Sequence, residues 1–228
     1  MSDAKRRSLL EEGLNLLAEV RPGEGGTALL LALNIFLLLS AYYMIKPVRE
    51  ALILVMESGA EYKSYMGAVI AVALLFAVPA YSRVANRLPR NRLIIGVTIF
   101  FVSNLALFWL GSSIEAVRSN LGLVFYVWVG IFNMMVIAQF WAFANDVYTE
   151  EQGKRLFAIV GIGASAGAVA GSKAASWLVA IIGNFPMLLV AGALLLVCAA
   201  LTQVVHLREV AGADKKGKDA SEKKPKGK

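Results

Sequence analysis

Six long apolar stretches constrain this chain more than any other feature of its sequence. They lie near residues 27–45, 65–81, 93–111, 121–144, 156–182 and 185–207. Most of them reach the roughly 20 apolar residues that cross a bilayer as a helix. Backbone polar groups within lipid must be paired inside the segment, so such stretches are predicted to be helical. With 58% hydrophobic residues, the chain is predicted to be an all-α membrane protein built as a six-transmembrane-helix bundle.

The placement of basic residues predicts which connections face the cytoplasm. Lysines and arginines precede the first stretch, lie between the second and third and between the fourth and fifth, and follow the sixth. The positive-inside rule then places both termini in the cytoplasm, which we expect to be that of a bacterium with the bundle in its inner membrane. The net charge of +7 is explained by this topology and by anionic lipid, so no nucleic-acid partner is predicted.

Polar segments flank the predicted transmembrane domain of residues 27–207. Residues 1–26 are predicted to be a cytoplasmic amphipathic segment in which 8–20 form an interfacial helix, with Leu10, Leu14 and Leu17 on one face. Residues 208–228 are rich in lysine and have no aromatic residue, so we expect a disordered basic tail.

Motifs for catalysis and for metal binding are missing from the sequence. Its single cysteine, Cys198, lies within the sixth stretch, and its single histidine, His206, lies at the end of that stretch. Neither has the partners at the spacing that a metal site or a nucleophile–base pair needs. We therefore predict that the protein is not an enzyme and has no cofactor.

The end of the first stretch carries charged and aromatic residues. At 100° per residue, one helical face holds Tyr42, Tyr43, Lys46, Arg49 and Glu50. Pro47 is predicted to bend one long helix that continues to Met56. Two interpretations stay open: these residues mark the membrane interface, or their two cations and one carboxylate form an inward-facing anion site.

The fifth stretch carries three glycines at intervals of four residues, Gly163, Gly167 and Gly171. This spacing predicts that another helix packs closely against it. Lys173 follows them at a depth similar to that of Lys46, and it either faces an anion or extends to the outer headgroups. In the fourth stretch, Asn133 is either an interhelical hydrogen-bonding group or a ligand, and Trp141 either anchors the interface or shapes a cavity.

The loop between the second and third stretches resembles the cytoplasmic loop motif of the major facilitator superfamily. Arg87 and Arg90 match that motif, whereas Asn86 stands where it has an acidic residue. If the charge relay of that family operates here, it lacks its usual carboxylate.

Further motifs resemble the ATP/ADP translocase family, the nucleotide antiporters within that superfamily. They are Phe140-Trp141 followed by Asn145-Asp146, Gln152-Gly-Lys-Arg-Leu-Phe157, Gly163-Ala-Ser-Ala-Gly167 and Lys46-Pro-Val-Arg49-Glu50. The resemblance implies the amino-terminal six-helix half of a transporter that exchanges nucleotides by alternating access. It also implies that Lys46 matches a lysine implicated in binding nucleotide phosphates.

Together these observations favour a transporter, or a transporter half, for an anionic solute such as ATP or ADP. The candidate substrate-binding residues are Tyr42, Lys46, Arg49, Glu50, Asn133, Trp141 and Lys173. We expect membrane lipid as the surroundings, and a second six-helix half or a second copy of the chain as the partner. The alternative is a non-transporting membrane scaffold or subunit that pairs with another membrane protein.

Overall fold

The computed structural model describes the backbone of residues 9–222 and the side chains of residues 11–115 and 120–211. Seven helices occupy the described residues: α1 (Leu9–Leu14), α2 (Gly25–Leu54), α3 (Gly59–Ala85), α4 (Arg90–Gly111), α5 (Glu115–Val147), α6 (Glu150–Ile182) and α7 (Asn184–Glu222). The helices α2 to α7 are long and apolar enough to cross a membrane. The predicted all-α bundle with six spans is confirmed.

The six long helices alternate in direction, so their connections lie at the two ends of the bundle. We call the end with α1, the α3–α4 turn and the α5–α6 turn the N-terminal face. The opposite end, with the α2–α3, α4–α5 and α6–α7 connections, is called the distal face. The sequence predicts that the N-terminal face lies in the cytoplasm.

Helix α2 forms the centre of the bundle. Its side chains Leu31, Ile35, Met44 and Ile45 are fully buried, and the helix packs against α5, α6 and α7. It runs through Pro47 without interruption and ends at Leu54, as the sequence predicts for one long first helix. A proline is tolerated here because neighbouring helices support the local backbone.

Helix α3 lies at the edge of the bundle. Gly59 is the only buried residue in α3, although the helix is apolar for most of its 27 residues. Large apolar side chains such as Val72, Leu75 and Phe76 are exposed along it. The helix begins six residues earlier than the stretch at 65–81 indicates, since Ser58 turns the chain with a φ of 59° and Gly59 then packs against the carbonyl of Ile53.

The glycine stripe of α6 lies directly against α2. A Cβ added at Gly163, Gly167 or Gly171 would overlap the backbone carbonyl of Ala32, Phe36 or Ser40, respectively. The Ser40 hydroxyl donates a hydrogen bond of 3.1 Å to the Gly167 carbonyl. Both sets of contacts advance by four residues in the same direction, so α2 and α6 run parallel with their backbones in close contact.

The N-terminal segment folds differently from the expected helix over 8–20. Helix α1 ends at Leu14, and Leu17 is exposed. The Asn15 side chain accepts a hydrogen bond from the Val20 amide, and the Glu11 carboxylate accepts one from the Gly23 amide. These local bonds compete with a continuing helix and turn the chain towards α2.

The C-terminal segment also departs from the expectation of disorder from residue 208. Helix α7 continues through Glu222. Extending an existing helix costs little, and alanine, lysine and glutamate favour the helical backbone. The remaining residues of that expected tail, 223–228, lie outside the described residues.

Candidate functional site

A cluster of charged side chains joins α2 to α3 near the distal face. The Glu50 carboxylate accepts hydrogen bonds from Arg49, at 2.5 Å from Nη2 and 3.2 Å from Nε. Its second oxygen lies 2.6 Å from the Lys63 Nζ of α3. We call Lys46, Arg49, Glu50 and Lys63 the distal cluster.

Aromatic rings support the cations of this cluster. The Arg49 guanidinium lies 4.4 Å from the ring centroid of Tyr126, a buried residue of α5. The Lys46 ammonium lies 5.5 Å from the ring of Tyr43, and the ring of Tyr42 meets that of Tyr43 edge-on at 5.3 Å. Such cation–π contacts hold a cation in place and leave its donors free for another partner.

The distal cluster carries more positive than negative charge. Arg49 and Lys63 both pair with the Glu50 carboxylate, and Lys46, one helical turn before Glu50 on α2, has no ion-pair partner among the described side chains. The side chain of Arg49 is 14% exposed, that of Glu50 25% and that of Lys63 44%. Charged groups within a membrane-spanning segment are costly unless they are paired. A cluster with excess positive charge is therefore suited to accept an anion.

Asn133 lies on the same face of α5 as Tyr126, because the two are seven residues apart. It is partly buried, and its side-chain oxygen has no hydrogen-bond partner in the described part of the chain. It lies 14 residues from Val147, or about 21 Å along α5 from the N-terminal face. Asn133 therefore lies between the distal cluster and that face.

The structure does not bring Trp141 to the distal cluster. Trp141 is six residues from the end of α5, about 9 Å from the N-terminal face. Lys46 is 21 residues from the start of α2, about 32 Å from that face. The Trp141 ring instead packs against the ring of Phe157, with centroids 5.6 Å apart.

Lys173 reaches a depth similar to that of Lys46 but lies on the other side of the α2–α6 pair. On a helical wheel, Lys46 is rotated about 80° from the Ala32–Phe36–Ser40 contact line, and Lys173 about 120° from the glycine stripe, in the same sense. Because the two parallel helices face each other, rotations in the same sense carry the side chains to opposite sides. Lys173 is exposed, and the structure does not place it beside Lys46.

A second charged cluster joins α2 to α6 at the N-terminal face. The Arg155 guanidinium donates to both Glu24 oxygens, at 3.0 and 3.1 Å, with side chains that are 13% and 14% exposed. The Gln152 side chain donates to Glu24 at 3.1 Å. Thr149 and Gln152 form a capping box at the start of α6, and this capping box positions the Gln152 side chain. Burial opposes ionisation of Glu24, but the hydrogen bonds from Arg155, the Arg21 amide and Gln152 outweigh it and lower the pKa of Glu24.

The cytoplasmic loop motif predicted from the sequence lies between α3 and α4. Arg90 forms an ion pair with Asp146 at the end of α5, with Nε and Oδ2 3.0 Å apart. Arg90 of the motif therefore pairs with a carboxylate of α5, whereas the acidic position of the motif itself is occupied by Asn86. Asn86 follows the end of α3, and both Asn86 and Arg87 are exposed.

Sequence reasoning did not assign Lys63 to the site. The second apolar stretch begins at residue 65, which predicts that Lys63 lies in the connection before it, whereas the structure places it inside α3. The run Gly59-Ala-Glu-Tyr-Lys63 has no helix breaker after Gly59, and this signal could have extended the helix. Which residue Lys63 contacts depends on the packing of α3 against α2, which no local pattern reveals.

Comparison with known proteins gives one match. Residues 24–228 match the family described as the Major Facilitator Superfamily. Searches among curated proteins and among solved structures found no match.

Proposed function

The chain belongs to the Major Facilitator Superfamily of membrane transporters, and we propose that its solute is an anion. The observation that carries this proposal is the distal cluster, in which Arg49 and Lys63 share the Glu50 carboxylate and Lys46 adds a third cation without an ion pair among the described side chains. The resemblance to the ATP/ADP translocases supports a nucleotide of the ATP/ADP type as the anion that is exchanged.

In this proposal, the cations of α2 hold the acidic group of the solute. The planar guanidinium of Arg49 can donate two parallel hydrogen bonds to a phosphate, and the Lys46 ammonium adds a point charge. Glu50 neutralises part of this charge when the site is empty. Tyr42, one turn before Lys46 on α2, offers a hydroxyl nearby, and Asn133 offers an amide about 11 Å closer to the N-terminal face. The positions of Trp141 and Lys173 do not favour a role in this site.

Transport by alternating access requires that two bundles move against each other around the solute. We propose that a second six-helix half, or a second copy of this chain, packs against the bundle. The match to the superfamily supports this pairing, because its transporters are built from two six-helix halves. The charge pattern supports a bacterial inner membrane with both termini in the cytoplasm.

Uptake into proteoliposomes tests the proposal. Labelled ATP, ADP and inorganic phosphate are offered to vesicles that contain the full chain alone, or the chain with a candidate second half. We expect uptake of an anion that falls at least tenfold in Lys46→Ala and Arg49→Ala. Lys154→Ala is the matched control, because Lys154 is exposed and, among the described residues, forms an ion pair only with Glu150 in the adjacent turn. Uptake that both site variants leave unchanged would contradict the assigned site.

A non-transporting scaffold or subunit is the second candidate function. It is favoured by the loose packing of α3, of which only Gly59 is buried, because such a helix leaves room for a permanent contact with another membrane protein. In that case the chain would copurify with its partner from the membrane, and no vesicle preparation would take up any of the three solutes.

A further inference from the structure

We propose that the Glu50 carboxylate occupies the position of the solute's acidic group in the empty site, and that Lys63 of α3 is a further cation that binds this group. The inference rests on the proposed function for the identity of the ligand as an anion. The inference adds to that function a binding residue from a second helix, Lys63, and a competition between the ligand and Glu50 for the same cations.

The geometry of Glu50 is that of a bridging anion. One of its oxygens accepts from Arg49 of α2, and the other lies 2.6 Å from Lys63 of α3. A phosphate group also offers separate oxygens to separate donors and can bridge the same two cations. It carries a further oxygen and a second charge for Lys46, which Glu50 leaves without an ion pair among the described side chains.

This arrangement selects among anions by charge. A monovalent anion such as acetate offers no more than Glu50 already supplies from a tethered position, so it competes poorly. A phosphate or pyrophosphate group can engage Lys46, Arg49 and Lys63 together. We therefore expect the cluster to favour multivalent phosphate-type anions over carboxylates of single charge.

The competition between a bound anion and Glu50 also affects how α3 is held against α2. The Lys63–Glu50 pair is the only ion pair that α3 makes among the described residues, and only Gly59 of this helix is buried. A phosphate that bridges Lys63 to Arg49 replaces the direct Lys63–Glu50 link between α2 and α3 with a longer link through the ligand. Ligand binding would then change how the distal end of α3 is held.

Binding of pyrophosphate to the purified full chain in detergent tests the competition, with acetate at equal ionic strength as the reference anion. We expect Glu50→Gln to raise the affinity for pyrophosphate about tenfold, since the internal competitor is lost, and Lys63→Gln to lower it about tenfold. Glu61→Gln is the matched control: Glu61 is exposed, lies in the first turn of α3 and forms no described ion pair. It should leave the affinity within about twofold of the wild type.

Spin labels report the attachment of α3. With Cys198→Ala, labels at Tyr65→Cys and Ile181→Cys occupy exposed positions near the distal ends of α3 and α6. Pyrophosphate, or Glu50→Gln without ligand, should populate a second distance between the labels that acetate and Glu61→Gln do not. If Glu50→Gln does not fold, Glu50→Asp keeps the charge but shortens the side chain by one methylene group, which weakens its contact with Lys63. It should raise the affinity for pyrophosphate about threefold.

Three results would overturn the inference: an unchanged or lower affinity in Glu50→Gln, an unchanged affinity in Lys63→Gln, or, where Glu50→Gln does not fold, an unchanged or lower affinity in Glu50→Asp. The outcome is separable from that of the proposed function. Absent solute uptake with the expected binding pattern would refute transport alone. Uptake that depends on Lys46 while Glu50 and Lys63 have no effect on binding would refute this inference alone.

Discussion

The two charged clusters of the bundle differ in how their charges are balanced. At the N-terminal face, Arg155 and Glu24 form a pair with two parallel hydrogen bonds, and Arg90 and Asp146 form another pair. At the distal face, Arg49 and Lys63 share Glu50, and Lys46 contacts only an aromatic ring among the described side chains. Balanced pairs stabilise contacts between helices, whereas an excess of cations leaves capacity for an anion.

The glycine stripe packs α6 against α2, the two helices that the N-terminal pair also joins, and Gly167→Leu should have the largest effect on stability. The new side chain would overlap the Phe36 carbonyl, so the helices must separate and the free energy of unfolding should fall by about 3 kcal/mol or more. Thermal unfolding in detergent measures the loss. Gly161→Leu is the control, because a Cβ at Gly161 meets no atom within 4 Å. Equal stability of the two variants would contradict close packing of the glycine stripe against α2.

Arg155→Met tests whether the N-terminal pair is structural. Removing the guanidinium leaves the mostly buried Glu24 carboxylate without its main partner, and we expect a loss of about 2 kcal/mol. Arg155→Lys should recover part of this, since an ammonium cannot donate two parallel bonds. The comparison is Lys154→Met, one residue away on the exposed face, which should cost less than about 0.5 kcal/mol. A similar melting temperature for Arg155→Met and Lys154→Met would show that the Arg155–Glu24 pair does not stabilise the fold.

The pH dependence of stability should report on the pairing of Glu24. Its pKa is lowered from the ordinary value of 4.5 in the folded protein, so the ionised form stabilises the fold. This contribution is complete above the ordinary pKa and is lost as the pH falls through the folded-state pKa. Melting temperatures measured from neutral to acidic pH should therefore fall less steeply in Glu24→Gln than in the wild type. Parallel curves for the two proteins would argue against a paired Glu24.

Lys46→Met should have the smallest effect on stability and so sharpen the contrast with Arg155→Met. The substitution loses a cation–π contact worth about 0.5–1 kcal/mol, but it also removes repulsion from Arg49 and Lys63. We expect a net change within about 0.5 kcal/mol in thermal unfolding, while pyrophosphate binding falls at least tenfold. Destabilisation as large as that of Arg155→Met would mean that Lys46 has a structural role instead.

Local sequence patterns were sufficient for the spans and for several faces of the helices. Apolar length identified the six crossings, and the helical period placed Lys46, Arg49 and Glu50 on one face of α2. The four-residue spacing of the glycines indicated the side of α6 that lies against another backbone. Patterns were insufficient at the ends of helices, as at α1 and α3, because single hydrogen bonds and tight contacts decide where a helix ends.

The sequence by itself determined the depth of each residue along its helix and its angle about that helix's own axis, since both follow from the geometry of a regular helix. Only the tertiary structure decided which helix each face meets. It brought Lys63 to Glu50, placed Trp141 against Phe157 and turned Lys173 away from Lys46. These relations depend on contacts between residues far apart in the chain, and the packing of whole helices sets them.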